Sequence, residues 1–280
     1  MNLEFIKMHG LGNDYIYFDC INENKIEDPA AVARQLSDRH FSIGGDGIVL
    51  ILPHDDADFH MRMFNADGSE AEMCGNAIRC VGKYVYDTGY TQAEVIRVMT
   101  GNGILTLELT IEGNECSKVR VDMGEPILNG PDIPVAIEAN PVLNQVITAN
   151  SNSYEFTAVS MGNPHAIIFV DEISDEQVLT DGPVLELDVV FPKKINVEFV
   201  KVNSRSDISM RVWERGSGET MACGTGACAV AVASILNGKA DRNVTIHLRG
   251  GDLEIEWSEA DNHVYMTGPA TFAFKGTVNI

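Results

Sequence analysis

Strict alternation of apolar and polar positions recurs along the chain, and it predicts strands. The stretch "DFHMRMFNADGSEAEMCG" (58–75) alternates on either side of Asp67-Gly68, a dipeptide that favours a hairpin turn. In the first half "GILTLELTIEG" (103–113) and "KVRVDMG" (118–124) continue the pattern. In the second half "DISMRVWERG" (207–216), "NVTIHLRG" (243–250), "DLEIEWSEA" (252–260) and "HVYMTG" (263–268) do the same. Two segments break to a helical pattern. One is "NAIRCVGKYVYDTG" (76–89), closing on Gly89; the other is "GTGACAVAVASILNG" (224–238), closing on Asn237-Gly238. The second has almost no polar face, which predicts a helix buried in a core.

These elements repeat. Gly12-Asn13 returns as Gly162-Asn163, 150 residues on. "FNADGSEAEMCGNAIR" (64–79) aligns with "WERGSGETMACGTGAC" (213–228) at an offset of 149, placing Glu70 on Glu219, Cys74 on Cys223 and Gly75 on Gly224. "VMTGNGILTLEL" (98–109) meets "HLRGGDLEIEW" (247–257) at 148, and Gly124 before Pro126 matches Gly268 before Pro269 at 144. Ordered anchors with a slowly drifting offset mark a duplicated unit. The expected fold class is α+β: two similar domains related by an internal repeat, each a strand-rich sheet or barrel wrapped around a central apolar helix. The domains are expected over 1–126 and 127–269, with the second repeat itself starting near 150. Between the repeats, 124–145 carries four prolines and reads as a linker with at most one short strand.

Composition narrows the function classes. The chain has 280 residues, 45% hydrophobic and 22% charged, a globular profile, and its net charge of −21 argues against nucleic acid or an anionic membrane as partner. No basic segment followed by an apolar core opens the sequence, and no apolar run reaches the roughly 18 residues of a membrane span. The six cysteines are therefore expected as free thiols in a reducing cytoplasm. No CxxC spacing occurs among them, so no metal site is expected. "GTGACA" (224–229) imitates a dinucleotide fingerprint but follows a polar loop instead of a buried strand, and "SIGGDG" (42–47) lacks the Lys-Ser/Thr of a phosphate loop.

Cys20, Cys80, Cys116 and Cys228 read as small core hydrophobes, and His54, His60 and His263 as surface residues. Cys74 and Cys223 stand apart, because they hold the same position in both repeats, each at the first turn of a helix. Free N–H groups and the helix dipole there favour a thiolate; the dipole alone supplies about 0.3–1 kcal/mol, so direct N–H bonds to sulfur must supply the rest of any large drop in pKa. Two thiols serving one small cleft cannot both ionise cheaply, so the pair would hold one thiolate and one thiol. Such a pair can take a proton from one face of a carbon and return one to the other. The helix ends at Gly75-Asn76 and Gly224-Thr225 can hold a substrate carboxylate through backbone N–H groups.

At these residues the sequence resembles a known family, the diaminopimelate epimerases among the cofactor-independent amino-acid epimerases. The resemblance rests on "MHGLGNDY" (8–15), "FNADGSEAEMCGNAIRC" (64–80), "SMGNPHA" (160–166), "INVEFV" (195–200) and "WERGSGETMACGTGACA" (213–229) and spans nearly the whole chain. It implies that Cys74 and Cys223 are the paired acid and base, and that Gly75, Asn76, Gly224 and Thr225 bind the reacting carboxylate. It further implies that Asn13, Asn65, Asn163, Asn196, Glu214 and Arg215 hold the substrate, with His165 and Glu214 tuning the thiols. It implies no pyridoxal phosphate or other cofactor, no metal, a homodimer, and interconversion of the LL and meso forms of 2,6-diaminopimelate, a precursor of lysine and peptidoglycan. In such a fold the tail, 270–280, returns to the first domain. The adjacent opposite charges of Glu214 and Arg215 suit the distal amino and carboxyl groups of that substrate. Ala77, where many members have Gly, is small enough for a first helical turn. Gly47 stands where some members carry a polar residue, and no site role is assigned to it.

Two other readings fit the thiol pair. One is a racemase of proline or histidine on the same fold, which would have no use for Glu214-Arg215. The other is a non-catalytic redox protein in which the two cysteines form a reversible disulfide.

Overall fold

The structure, a computed structural model, describes residues 2–280. The chain forms two compact units, one running to Asp122 and joined by Thr267–Ile280, the other Met123–Met266.

In chain order the first unit holds β1 (Asn2–Gly10), β2 (Asn13–Asp19), α1 (Pro29–Leu36), β3 (Gly47–Leu52), β4 (Phe59–Asn65), β5 (Glu70–Ala71), α2 (Gly75–Asp87), β6 (Val95–Thr100), β7 (Gly103–Glu112) and β8 (Glu115–Asp122). The second holds β9 (Val142–Ala149), β10 (Asn152–Ser160), β11 (Pro164–Phe169), α3 (Gly182–Glu186), β12 (Asn196–Ser204), β13 (Asp207–Glu214), β14 (Gly218–Glu219), α4 (Gly224–Leu236), β15 (Asn243–Leu248) and β16 (Gly251–Trp257). β17 (Val264–Gly268) then leads to β18 (Thr271–Asn279), which pairs antiparallel with β1.

The strand register repeats as the sequence does. β2 and β3 run parallel with Tyr15 opposite Gly47; β11 and β12 run parallel with His165 opposite Asn196. β4 and β6 are parallel, as are β13 and β15. The tight hairpins β4–β5 and β13–β14 match, and each is clamped by an arginine. Arg62 holds Glu70 at 2.7 and 3.0 Å, and Arg211 holds Glu219 at 2.7 and 3.2 Å. At the first hairpin Asp67 accepts the Ser69 N–H at 2.8 Å while Gly68 takes a positive φ of 86°, which glycine adopts without a Cβ penalty. This is an α+β fold of two units built on one plan.

Each unit wraps a buried helix. In α4 Gly224 and every residue from Gly226 to Ser234 are buried, as the absence of a polar face predicts. α2 is buried just as completely from Gly75 to Val85, but it is not purely apolar. Arg79, fully buried, donates to the carbonyls of Gly75 at 2.9 Å and Pro269 at 3.2 Å and to Asn76 Oδ1 at 2.9 Å. Lys83 donates to the Cys116 carbonyl and pairs with Asp87, both at 2.7 Å. Burial of these cations is tolerable because their N–H groups are met.

Sheet residues complete the cores. Ile16, Ile48, Leu50 and Phe64 pack with Val32 and Leu36 of α1 in the first unit, and Phe156, Ile168, Val197 and Phe199 with Leu185 in the second. At roughly 1.5–3 kcal/mol per buried large apolar side chain, these clusters dominate the favourable side of folding. The proline-rich stretch holds a short 3-10 turn, Gly130–Asp132, an isolated bridge from Ile127 to Ser160, and the start of β9. Cys20, Cys80, Cys116 and Cys228 are buried, and all six cysteines are free thiols.

Candidate active site

In the first unit a tight turn with Leu11 and Gly12 at φ 56° and 87° delivers Asn13 to the start of β2. Asn13 Nδ2 donates to Asp46 Oδ2 at 2.7 Å, which turns Oδ1 toward the Cys74 thiol; the S–H donates to it at 3.3 Å. Asp46 is itself held by Arg39 at 2.9 Å. Arg39 also grips Asp14 at 2.6 Å, and Lys7 reaches Asp14 at 2.6 Å. Burial alone would raise the Asp14 carboxyl, but Arg39 and Lys7 outweigh it and hold it below the usual carboxylate range.

Cys74 is the N-cap of α2, extended at φ −140° and ψ 119°, and its sulfur makes no capping bond. Gly75 and Asn76 therefore begin the helix and carry its first N–H groups. The Asn76 side chain turns inward to Arg79 rather than outward. Asn65 ends β4 and donates to Ser69 Oγ at 3.0 Å across the hairpin. Gly47 has a steric reason to be glycine, since a Cβ there would lie 2.0 Å from the Phe64 carbonyl oxygen.

The second unit repeats the layout with different chemistry. Gly162, at φ 96°, turns the chain so that Asn163 precedes β11. Asn163 Oδ1 lies 3.0 Å from His165 Nε2, and His165 Nδ1 lies 2.6 Å from Glu198 Oε1. His165 and Glu198 are both fully buried. Asn196, opposite His165 in the parallel register, uses its amide on the main chain: Nδ2 donates to the Pro164 carbonyl at 2.8 Å and Oδ1 accepts the Arg215 N–H at 2.9 Å. Asn196 thus shapes the loop bearing Glu214 and Arg215. The Glu214 carboxylate accepts the Thr220 hydroxyl in a short bond, and the Arg215 guanidinium donates to the Lys193 carbonyl at 3.1 Å.

Cys223 caps α4. Its sulfur accepts the Gly226 N–H at 3.4 Å and lies 3.5 Å from the Thr225 hydroxyl. A helix N-terminus was expected to lower this thiol, yet its net shift runs the other way. Burial at 5% exposure, followed by the charges of Glu214 and Glu198, pushes the thiol well above its ordinary value. The N–H of Gly226 and the hydroxyl of Thr225 oppose that shift without reversing it.

The structure therefore brings Asn13, Cys74, Gly75 and Asn76 together in one unit, and Asn163, His165, Glu214, Cys223, Gly224 and Thr225 around the end of α4 in the other. Sequence reading assigned no role to Glu198 or Asp46. Glu198 sits in an alternating strand pattern whose polar positions ordinarily face solvent, and only the β11–β12 register exposes its chemistry. Among the described residues, His165, Glu198 and Cys223 place one donor atom each within 4.8 Å of one another. Both imidazole nitrogens already lie at hydrogen-bonding distance from Glu198 and Asn163, so the cluster is a hydrogen-bonded one.

The family model described as diaminopimelate epimerase matches residues 5–129 and 157–273. A diaminopimelate epimerase of Methanococcus maripaludis strain C6 is 58% identical over 278 residues, covering 99% of this chain and 100% of that protein. One from Acetivibrio thermocellus is 56% identical, with 99% of each chain covered. Among solved structures, a hydroxyproline epimerase from Agrobacterium vitis superposes with a TM-score of 0.72 at 14% identity, over 99% of this chain and 92% of that one, a likeness of fold. With the match spanning both repeats and both capping cysteines, the chain belongs to the diaminopimelate epimerase family of isomerases.

Proposed function

We propose that the chain interconverts LL- and meso-2,6-diaminopimelate by a two-base reaction of Cys74 and Cys223. Membership of the family supports the substrate. One observation carries the mechanism: each cysteine is the N-cap residue of the buried helix of its unit, at repeat-equivalent positions.

In this reading one sulfur, as thiolate, removes the α-proton from one face of the α-carbon, and the other, as thiol, delivers a proton to the opposite face. The number of protons on the pair is unchanged after a turnover, and the reverse reaction exchanges the two roles. The N–H groups at Gly75, Asn76, Gly224 and Thr225 receive the α-carboxylate and stabilise the charge that grows on it as the proton leaves. Asn13 and Asn163 orient the reacting end, and Asn65, Asn196, Glu214 and Arg215 serve the distal amino and carboxyl groups. The raised affinity of Cys223 for its proton makes it a thiol in the unliganded protein, so substrate binding must supply the countercharge for its ionisation. The bonds of Glu214 to Thr220 and of Arg215 to the Lys193 carbonyl must loosen or be shared when the distal groups bind. The protein works without cofactor or metal, in the cytoplasm, as a homodimer. Phe272 and Phe274, exposed on β18, offer apolar surface that a second copy would cover.

The test is incubation with LL-diaminopimelate in D2O, following deuterium at the α-carbon and the LL/meso ratio. Absence of exchange would refute the substrate; full activity in Cys74→Ala or Cys223→Ala would refute the two-base scheme. Exchange with proline or histidine instead would support the racemase reading, and sedimentation velocity reads the dimer.

A further inference from the structure

The site asparagines Asn13 and Asn163 are repeat equivalents, and behind each stands a carboxylate. Asp46 holds Asn13 directly at 2.7 Å. On the other side the link has an extra member: Glu198 Oε1 meets His165 Nδ1 at 2.6 Å, and His165 Nε2 meets Asn163 Oδ1 at 3.0 Å. The two histidine bonds put Glu198, His165 and Asn163 in one line of contact, and the line runs beside a reacting thiol. A Cβ added at Gly226 would lie 2.8 Å from Glu198 Oε1 and 3.1 Å from Cys223 Sγ, so carboxylate and sulfur flank the same point.

Glu198 is an unusual group to find there. It is fully buried on β12, and its second oxygen, Oε2, makes no hydrogen bond to another residue. An acid buried at that cost is retained where its charge or hydrogen bond has a use. Burial pushes its carboxyl above the usual range, with His165 opposing.

We propose that Glu198 is a positioning residue of the active site: it accepts the Nδ1–H of His165, fixes the ring so that Nε2 is an acceptor facing the Asn163 amide, whose NH2 turns to meet it, and sets a negative charge beside Cys223. No bond to substrate is required of it. The inference rests on Cys223 and Asn163 being site residues, but its physical content stands whether or not the protein turns over diaminopimelate. The charged and titratable groups around Cys223 are Glu214 from β13, Glu198 from β12 and His165 from β11. Of the other strands on α4, β10 has Glu155 exposed and Tyr154 bonded to Asp181, and β15 has His247 held by Asp207 and Asp252. On β16 Asp252 and Glu254 are exposed and Glu256 is half-buried.

Two substrate-free measurements test this. In a Cys74→Ala background, alkylation of Cys223 by iodoacetamide is followed by peptide mass spectrometry at pH 8, with and without Glu198→Gln. Gln is isosteric and keeps an acceptor for His165 while removing the charge. The expected result is alkylation faster by about tenfold, the equivalent of one pKa unit. An unchanged or slower rate overturns the charge role. In the protein with all its native residues, 15N NMR of the His165 ring is expected to show Nδ1 carrying a proton; an unprotonated Nδ1 overturns the positioning role and needs no variant to fold. With LL-diaminopimelate, Glu198→Ala is expected to raise KM about tenfold, and an unchanged KM in the folded variant overturns the link to Asn163. Failure of turnover in the native protein instead bears on the substrate assignment and leaves the first two readouts intact.

Discussion

Cys223 accepts the Gly226 N–H on its own sulfur at 3.4 Å, so the residue that caps α4 is also one of the two proposed to react. Its repeat equivalent differs. Cys74 makes no capping bond and donates its S–H to Asn13. One sulfur thus accepts a hydrogen bond and the other donates one, so the two repeat-equivalent thiols are held differently.

The cap depends on Gly226 having no side chain. In Gly226→Ala the new methyl would meet Glu198 Oε1 at 2.8 Å and Cys223 Sγ at 3.1 Å, so the fully buried Glu198 would have to shift from its 2.6 Å contact with His165. Overpacking of this kind costs about 1–3 kcal/mol. Thermal melting should fall accordingly and kcat/KM should drop by about tenfold or more; a variant with native turnover would contradict the cap's role.

Asp46 gives a parallel prediction in the first unit. Asp46→Ala removes the acceptor of Asn13 Nδ2 and frees the amide to rotate away from Cys74. A loss of positioning behind a reacting group is expected to cut kcat/KM by about tenfold with little change in melting temperature. Steady-state kinetics beside a thermal melt distinguish this from general destabilisation.

The two hairpin clamps look alike but differ in worth. The Glu70 side chain is 49% exposed and meets Arg62; that of Glu219 is 9% exposed and is shared by Arg211 and Arg249. An exposed pair contributes about 0–1 kcal/mol, whereas removing one partner of a mostly buried one costs about 3 kcal/mol. Urea denaturation should therefore show Glu219→Gln as much the more damaging of the two, and equal effects would disprove the burial argument.

His247 supplies a pH test. Hydrogen bonds donated by its ring to Asp207 first and Asp252 next, at 2.8 and 2.7 Å, raise its pKa in the folded protein. A raised folded value means the contribution is fully present below the unfolded value near 6.5 and disappears as pH rises through the folded one. The ring is partly exposed, so solvent screening keeps the effect small, about a degree or two in melting temperature. His247→Gln should melt below the native protein at pH 5.5 and together with it at pH 9.

Glu198 and Cys223 mark where sequence reading reached its limit. "INVEFV" identifies a strand, but period-2 alternation cannot say that both faces of β12 are covered, and it is burial that brings Glu198 against His165. The same burial reverses the expected shift of Cys223. A helix N-terminus is legible from its Gly and its apolar run, and Glu214 stands only nine residues before Cys223, whereas the desolvation that outweighs the helix end and the second carboxylate, Glu198 of β12, come from the tertiary packing. Arg79 and Lys83 show the converse in α2: their charges are plain in the sequence, and only the carbonyls and carboxylate awaiting them explain why they lie inside.

The sequence by itself determined the duplication, the strand-rich α+β plan, the buried α4 and the identity of the two capping cysteines. These are properties of period and local turn chemistry, which neighbouring residues dictate. The partners of the proposed reacting groups that no sequence pattern announced were decided by tertiary structure: Asp46 behind Asn13, Glu198 behind His165, and the burial and Glu198 charge that join Glu214 in acting on Cys223. Electrostatics and hydrogen bonding depend on distance and desolvation, and parallel registers such as His165 opposite Asn196 bring together residues that no local pattern connects.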